Sequence, residues 1–338
     1  MMADLDLPLV WAGIILFGVM MYVVMDGFDL GIGILFPFFH EKDDRDVMMN
    51  TVAPVWDGNE TWLVLGGAGL LAAFPLAYAV ILSAFYLPLM LMLIGLVFRG
   101  VAFEFRMQAR AGKRRLWDQA FIGGSVAATF FQGVTLGAFL DGVPVVDGEF
   151  AGGPLDWVSP FALFTGLGLM VAYALLGATW LVMKTEGPLQ QRMRQIGIAL
   201  TWALLAVIAA ISAWTPLAHE AIAQRWFQLP QLLWFSPVPL LVGVCTWALL
   251  RNLKHGQGHA APFVLTLALL FLGYSGLAIS LWPNVVPPGI TLWQAAGPDE
   301  SLGFALVGAV FILPLVLAYT AFAYWVFRGE VRVGDGYH

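Results

Sequence analysis

The sequence is poor in charge and has a single cysteine. Charged residues make up 11% of the 338 residues, against about 25% in a typical water-soluble domain, and hydrophobic residues make up 60%. A surface with so few charges is unsuited to water, so a soluble globular fold is excluded. With Cys245 alone, intrachain disulfides and cysteine-ligated clusters are excluded as well. The sequence also lacks a Walker loop, a dinucleotide fingerprint and a metal-spaced cluster.

Histidine is scarce, and no histidine falls inside a predicted helix. The five histidines lie in predicted loops, at helix ends or in the tail: His40, His219, His255, His259 and His338. Haem in a membrane bundle is usually held by His or Met from a helix. The remaining candidates are methionines on apolar helix faces, where a packing role is favoured: Met20, Met21, Met25, Met90, Met92 and Met170. The sequence therefore predicts no haem and no metal bound through this chain's own ligands.

Long apolar runs, by contrast, follow one another along the whole chain. A membrane crossing needs about 20 mostly apolar residues. Nine stretches qualify: 9–38, 52–73, 78–104, 117–140, 159–183, 196–215, 233–250, 262–282 and 301–327. The first is interpreted as a retained helix, because MMADLDLPLV carries acidic residues where a signal peptide would carry basic ones. The sequence predicts an all-α integral membrane protein of about nine helices, in a single polytopic domain over 1–338.

The basic residues predict the orientation of these helices, since basic loops stay in the cytoplasm. With nine crossings, 14 of the 16 Lys and Arg residues fall on one side. Their segments are 40–50, 105–116, 184–195, 251–260 and the tail after 327. The N-terminus is then predicted outside and the C-terminus in the cytoplasm. The two long connections at 141–158 and 283–300, rich in Gly and Pro, are predicted to be ordered loops on the outside.

Ionisable side chains inside predicted helices are costly in a bilayer, so each one suggests a functional hypothesis. They fall in three blocks near the cytoplasmic ends of the first three helices: Asp26 and Asp29, then Asp57 and Glu60 beside Trp56, then Arg99 and Glu104. Because these helices run down, up and down, the blocks are predicted to meet at one depth. There they form either structural ion pairs and helix caps or a hydrated path for protons or ions. Trp56 is either an interfacial anchor or part of this site.

These blocks resemble subunit II of the cytochrome bd-type quinol oxidases. The two most specific matches are 26–33 (DGFDLGIG) and 53–63 (APVWDGNETWL), on helices 1 and 2. Further similar segments run nearly to the end of the chain: Phe98-Arg99, 103–106 (FEFR), 282–287 (WPNVVP), 291–293 (TLW) and 319–325 (YTAFAYW). The chain is shorter than some family members and is more similar to the cyanide-insensitive branch.

The resemblance implies a fold and a complex. The expected fold is nine helices, as two four-helix bundles and one peripheral helix. The chain is expected to be the haem-free partner, in a heterodimer of the bacterial inner membrane, of a larger subunit I that carries b- and d-type haems and the quinol site. That complex would oxidise ubiquinol, reduce O2 to water and take up protons from the cytoplasm. A bound structural quinone or lipid and a small single-helix accessory subunit are left open.

The resemblance also assigns roles to residues. Asp57, the carboxylate of the WDGN block, is expected to lie on a proton path that reaches the partner's haems. Arg99 and Glu104 are expected in the same network, with Glu104 in place of an Asp found in some relatives. Relatives have a Lys a few residues on, where this chain has Gln108, so the cytoplasmic entrance of the path is not assigned.

A second class of function uses the same carboxylates. In that alternative the chain is a stand-alone ion- or proton-coupled transporter, and transporters often carry internal repeats. The charged blocks of the first three helices have no matching set in the second half of the sequence. This asymmetry favours the oxidase subunit.

Gly112→Cys and Gly148→Cys, each in a Cys245→Ala background, test the orientation. With nine crossings the two positions lie in loops on opposite sides of the membrane. In intact cells we expect a membrane-impermeant thiol reagent to label the cysteine at 148 and not the one at 112. Labelling of both positions from one side would contradict the predicted helix count.

Overall fold

The computed structural model describes residues 5–256 and 258–335, and their regular structure is almost entirely helical. His338, one of the histidines considered above, lies outside the described residues. In chain order the helices are α1 (Leu7–Leu35), α2 (Lys42–Asn50), α3 (Trp56–Ala73), α4 (Pro75–Gln108), α5 (Arg114–Asp141), α6 (Pro160–Lys184), α7 (Gly187–Ala218), α8 (Glu220–Phe227), α9 (Gln231–Phe235), α10 (Pro237–His255), α11 (Ala261–Leu281), α12 (Leu292–Ala295) and α13 (Asp299–Val326). Two short 3-10 turns, Phe36–Phe38 and Ala111–Lys113, follow α1 and precede α5.

Eight segments of the described chain are long and apolar enough to cross a membrane. They are α1, α4, α5, α6, α7, α9 with α10, α11 and α13. The second of the nine predicted crossings is α3, which has 18 residues and is less apolar because Asp57, Asn59 and Glu60 lie near its start. It packs against α1 and α4. The all-α membrane fold is confirmed, with eight rather than nine apolar spans, whereas the orientation and the division into two bundles stay predictions.

Some boundaries and short helices differ from the sequence prediction. α7 begins at Gly187 rather than near 196, because its first turns carry polar residues that a hydropathy pattern leaves out. α3 begins at Trp56 rather than 52, after a run of turns. α2 and α8 occupy segments that were predicted as loops. α2 is strongly polar, yet it buries Val47, Met48 and Met49 in its last turn, so tertiary packing explains a helix that composition does not predict.

The two long connections are ordered and each contains a small antiparallel hairpin. These are β1 (Val145–Val146) with β2 (Glu149–Phe150), and β3 (Asn284–Val286) with β4 (Ile290–Thr291). The turn of the first hairpin is Asp147-Gly148, with φ values of 51° and 83°, as a two-residue Asp-Gly turn requires. Because a cysteine is strained at such a φ, Glu149→Cys labels the same loop better than Gly148→Cys.

Glycines let the helices beside α1 and α4 approach each other closely. A Cβ on Gly31 of α1 would overlap the carbonyl oxygen of Tyr173 in α6. A Cβ on Gly124 of α5 would lie 2.6 Å from the carbonyl oxygen of Gly95 and 2.7 Å from the amide nitrogen of Arg99, both in α4. Small residues of this kind allow helices in a membrane to associate through close backbone contact. The two contacts hold α1 and α4 against α6 and α5 close to the charged residues.

The segment after α13 is attached to the end of α6. Lys184 is buried, and its Nζ donates hydrogen bonds to the carbonyl oxygens of Phe327 at 2.6 Å and Gly329 at 3.1 Å. Nearby, Arg332 Nη2 of the same segment lies 3.5 Å from Glu186 Oε2, just after α6. The C-terminal end of α13 is therefore held in place by α6.

Gly31→Ala tests the close contact between α1 and α6. Overpacking an ordinary core position costs about 1–3 kcal/mol, and a clash with a helix backbone is harder to relieve. We expect a severe loss of monodisperse protein in detergent and a lower thermal unfolding midpoint. Gly13→Ala is the matched control, because no atom lies within 4 Å of the Cβ it would add to the same helix. Equal yields and midpoints for the two variants would contradict this packing.

Candidate functional site

Three helices bring charged side chains to one buried point. α1 contributes Asp26 and Asp29, which are three residues apart and so share a helical face. α3 contributes Glu60 and α4 contributes Arg99. The side chains of Asp26, Asp29 and Arg99 are 1%, 0% and 0% exposed, and that of Glu60 is 28% exposed. The predicted meeting of the three blocks is therefore found for these four residues, which we call the charge cluster.

Arg99 is the centre of the charge cluster. Its Nη2 lies 2.7 Å from Asp26 Oδ1 and also contacts Glu60 Oε1, while its Nη1 lies 3.9 Å from Asp29 Oδ2. A guanidinium carries five N–H donors in a planar fork, so one Arg can serve several carboxylates. Removing one partner of a buried ion pair typically costs about 3–5 kcal/mol, because the other charge stays buried and unpaired. The cluster thus ties α1, α3 and α4 together.

The charge cluster contains more acid than base. Three ionised carboxylates against one guanidinium would leave a net charge of −2 in a largely buried site. Uncompensated charge in such a place is unfavourable. Asp29 Oδ1 is fully buried and has no hydrogen-bond donor among the described residues. This oxygen can accept a proton, and Glu60 gives the cluster its open side.

Asn59 and Tyr324 extend the cluster through hydrogen bonds. Asn59 Nδ2 donates to Asp29 Oδ2 at 2.8 Å and to the carbonyl oxygen of Met25 at 3.2 Å. Tyr324 of α13 donates from its hydroxyl to Asn59 Oδ1 at 2.8 Å. Neither residue was assigned a role from the sequence, although both lie within the family-like segments. The signal in the sequence was the polar Asn59 directly beside Glu60.

Trp56 lies beside the cluster and lines one side of it. Its ring stacks on Phe103, with centroids 5.2 Å apart and planes 13° apart. The guanidinium carbon of Arg99 lies 5.8 Å from the Trp56 ring and 6.0 Å from the Phe103 ring. These distances allow cation–π attraction. Trp56 thus packs against the site as well as lying near the end of its helix.

Asp57 and Glu104 do not belong to the charge cluster, contrary to the expectation from the sequence. Both side chains are exposed, and no ion pair involves either of them in the described chain. The cause is helix geometry. Buried Asn59 and partly buried Glu60 face inward, and Asp57 precedes Asn59 by two residues, about 200° around the helix. Glu104 follows Arg99 by five residues, about 140° around α4. Arg99 therefore balances Glu60 and the two aspartates instead of Asp57.

A second ion-pair network lies two turns further along α4 and was not predicted. Arg106 Nε lies 2.5 Å from Asp118 Oδ1 and its Nη1 lies 2.7 Å from Asp46 Oδ1. Arg45 Nη1 lies 2.8 Å from Asp118 Oδ2. The guanidinium carbons of Arg45 and Arg106 lie 5.0 and 5.5 Å from the ring centroid of Phe36. The network fastens α2 to the ends of α4 and α5, while Gln108, the last residue of α4, is exposed.

Two cavities that border the described residues lie at different places. The larger, about 420 Å³, lies between the two hairpins and is lined by residues such as Asp141, Val143 and Ile290. Asp141 ends α5, 17 residues after Gly124, so this cavity is about 25 Å along the helix from Arg99. A small cavity of about 20 Å³ borders Asn59 and Tyr324.

In residues 5–256 and 258–335, no group of three or more His, Cys, Asp or Glu side chains is placed to hold a metal ion.

A family model matches nearly the whole chain. Residues 7–327 match the family described as cytochrome bd terminal oxidase subunit II. Cytochrome bd-I ubiquinol oxidase subunit 2 of Escherichia coli (strain K12) is 32% identical, over 96% of this chain and 94% of the relative. Cytochrome bd ubiquinol oxidase subunit 2 of Bacillus subtilis (strain 168) is 29% identical, over 92% of each.

A solved structure has a similar fold. The bd oxidase from Geobacillus thermodenitrificans aligns with a TM-score of 0.70 and 16% identity, covering 96% of this chain and 99% of that chain. At this identity the likeness concerns the fold.

Arg99→Gln tests the electrostatic role of Arg99 at the centre of the charge cluster. Without the guanidinium, three carboxylates share a buried site, so we expect little folded protein and a markedly lower unfolding midpoint, in line with a loss of about 3–5 kcal/mol. Adding Asp26→Asn and Glu60→Gln should restore much of the yield, because the uncompensated charges are removed. The control is Arg110→Gln, since Arg110 is exposed after α4. A stable Arg99→Gln single variant would refute the role of Arg99.

Proposed function

The chain belongs to the cytochrome bd terminal oxidase subunit II family, and on this premise we propose that it is the haem-free subunit of a quinol oxidase in the bacterial inner membrane. Its partner is a larger subunit that carries the b- and d-type haems and the site of ubiquinol oxidation. Together they oxidise quinol and reduce O2 to water. In this complex the present chain supports the partner and contributes to proton uptake from the cytoplasm.

The placement of the histidines supports the assignment of the haems to the partner. His40 and His259 lie in connections, His219 lies between α7 and α8, and His255 ends α10. Within the described chain no histidine projects from the middle of a helix, where a haem in a bundle would need it. Among the described residues, the histidines therefore offer a haem no ligand from within a helix.

The exposed carboxylate of Glu104 on α4, among apolar side chains, supports a protein partner. Val97, Phe98 and Phe105 are 64%, 55% and 55% exposed, on both sides of exposed Glu104 along the chain. A carboxylate in the membrane is expensive unless protein or water covers it. Coverage of this part of α4 by the partner subunit would shield Glu104 and Asp57 from lipid.

The position of Glu60 is the observation that carries the proton role. Glu60 contacts buried Arg99 through one oxygen and keeps 28% of its side chain exposed. It also lies one helical turn from exposed Asp57, close enough for side chains to interact. We therefore assign Asp57 to the part of the proton path that lies at the protein surface. The charge cluster behind it is assigned the role of holding exchangeable protons. The excess of carboxylates over guanidinium gives the cluster that capacity.

The stand-alone transporter that the sequence left open has no support among the relatives. The curated relatives are named as oxidase subunits. The charge cluster is built from α1, α3 and α4, with one hydrogen bond from α13 through Asn59. The second half of the chain thus adds a hydroxyl rather than a second charged set.

Asp57→Asn tests the proton role. The amide keeps the shape of the carboxylate and removes its titratable group, and no ion pair is broken within the described residues. We therefore expect the two-subunit complex to assemble with its full haem content and to lose most quinol-dependent O2 uptake. The measurements are the reduced-minus-oxidised haem spectrum and O2 consumption by the purified complex.

Asp43→Asn is the matched control for this variant, because Asp43 is an exposed carboxylate in the first turn of α2. We expect it to leave O2 uptake unchanged. Full assembly of the Asp57→Asn complex with normal turnover and normal membrane potential would remove the proton role of Asp57. Failure to assemble would instead indicate a structural role at the subunit interface.

A further inference from the structure

Tyr324 gives α13 its polar link to the charge cluster. α13 is largely exposed, and its buried residues, Leu302 and Leu306, lie near its N-terminal end. Tyr324 lies two residues before the end of α13 and donates from its hydroxyl to Asn59 Oδ1 at 2.8 Å. A hydroxyl in an apolar setting requires a partner. Asn59 is that partner.

The hydrogen bonds around Asn59 determine which way its amide points. The two acceptors near Nδ2 are the carboxyl of Asp29 and the carbonyl of Met25, and neither donates while Asp29 is ionised. If the amide were flipped, Asn59 Oδ1 would face both of these oxygens. The Tyr324 hydroxyl donates on the opposite side, to Oδ1. The tyrosine and the aspartate thus favour the same orientation of one amide.

The ring of Tyr324 is itself held in place. Its centroid lies 6.5 Å from that of Phe28 and 6.1 Å from that of Trp180, in edge-to-face arrangements. Three residues later, Phe327 offers its carbonyl to Lys184 Nζ. Contacts from α1 and α6 therefore fix both the ring and the chain that carries it. The hydroxyl is placed by these contacts rather than by a flexible tail.

We propose that Tyr324 is a positioning residue for the charge cluster, acting through Asn59 on the carboxylate of Asp29. The hydroxyl holds the Asn59 amide with Nδ2 toward Asp29, so that the Asp29 carboxylate keeps a donor beside Arg99. This inference rests on the proposed proton role of the cluster. α13, which supplies no charged group to the site, then influences proton exchange from outside the cluster.

Tyr324→Phe removes the hydroxyl and keeps the ring. The remaining Asn59 Oδ1 loses its donor, and the amide loses the contact that opposes rotation away from Asp29. Loss of such a hydrogen bond changes an equilibrium constant, here that between the two orientations of the Asn59 amide, on the order of threefold to tenfold. In the purified two-subunit complex we expect quinol-dependent O2 uptake to fall by about that factor. Its pH profile should shift, with haem content and the KM for quinol unchanged.

Tyr274→Phe is the matched control. The Tyr274 hydroxyl also donates to a residue of α1, the carbonyl oxygen of Leu16 at 2.9 Å, ten residues before Asp26. Both variants therefore lose one tyrosine hydroxyl that bonds between helices. We expect Tyr274→Phe to leave turnover and the pH profile unchanged. If the two variants behave alike, loss of an interhelical hydrogen bond explains the effect and the proposal is overturned.

A double-mutant cycle with Asp29→Asn separates positioning from general packing. If Tyr324 acts through Asn59 on Asp29, adding Tyr324→Phe to Asp29→Asn should reduce turnover less than twofold further. Equal effects in both backgrounds would overturn the proposal. Where Asp29→Asn does not assemble, Asn59→Ala takes its place in the cycle with the same expectation.

The single variants distinguish this proposal from the one on which it rests. Normal turnover and a normal pH profile in the Asp29→Asn complex would refute the proton role of the cluster, and the inference with it. An impaired Asp29→Asn complex together with a normal Tyr324→Phe complex would refute the positioning role alone and leave the proposed function standing.

Discussion

A guanidinium removed from water needs negative charge close to it, and Arg99 obtains that charge from two other helices. Asp26 and Asp29 reach it from α1 and Glu60 reaches it from α3. This is feasible only if the helices pack closely. The contact of Gly124 with the backbone around Arg99, and of Gly31 with α6, provides that closeness. Ion pairing and glycine packing are therefore two parts of one constraint, since the first needs the geometry that the second allows.

The membrane helices follow from hydropathy, but their polar margins do not. The apolar runs predict the spans well because about 20 apolar residues in a row have few other stable environments. The same pattern misses the first turns of α7, where Arg192 and Arg194 continue the helix. It also misses α2, which is polar in composition and is held by the ion pairs of Asp46 and Arg45. Helices stabilised by tertiary contacts leave little trace in local sequence.

The candidate site was predictable as a set of helices rather than as a set of contacts. The spacing of Asp57 and Glu60 puts them near one face, but it does not say which of them points toward α1. In the structure Glu60 turns inward and Asp57 outward, so Arg99 contacts Glu60 and not Asp57. Tyr324 could not have been found from spacing, because 265 residues separate it from Asn59. Pairings at that distance are decided by the packing of whole helices.

The order in which the cluster is synthesised has a consequence for insertion into the bilayer. All three carboxylates precede Arg99 in the chain, so the ribosome delivers the acids before the base. A lone arginine at the centre of a membrane helix costs about 2.5–3.5 kcal/mol on insertion scales. When α4 leaves the insertion machinery, α1 and α3 have already been inserted, and they carry the carboxylates that pair with Arg99. Tyr324 emerges more than 200 residues later, so Arg99 can meet its counter-charges long before α13 docks.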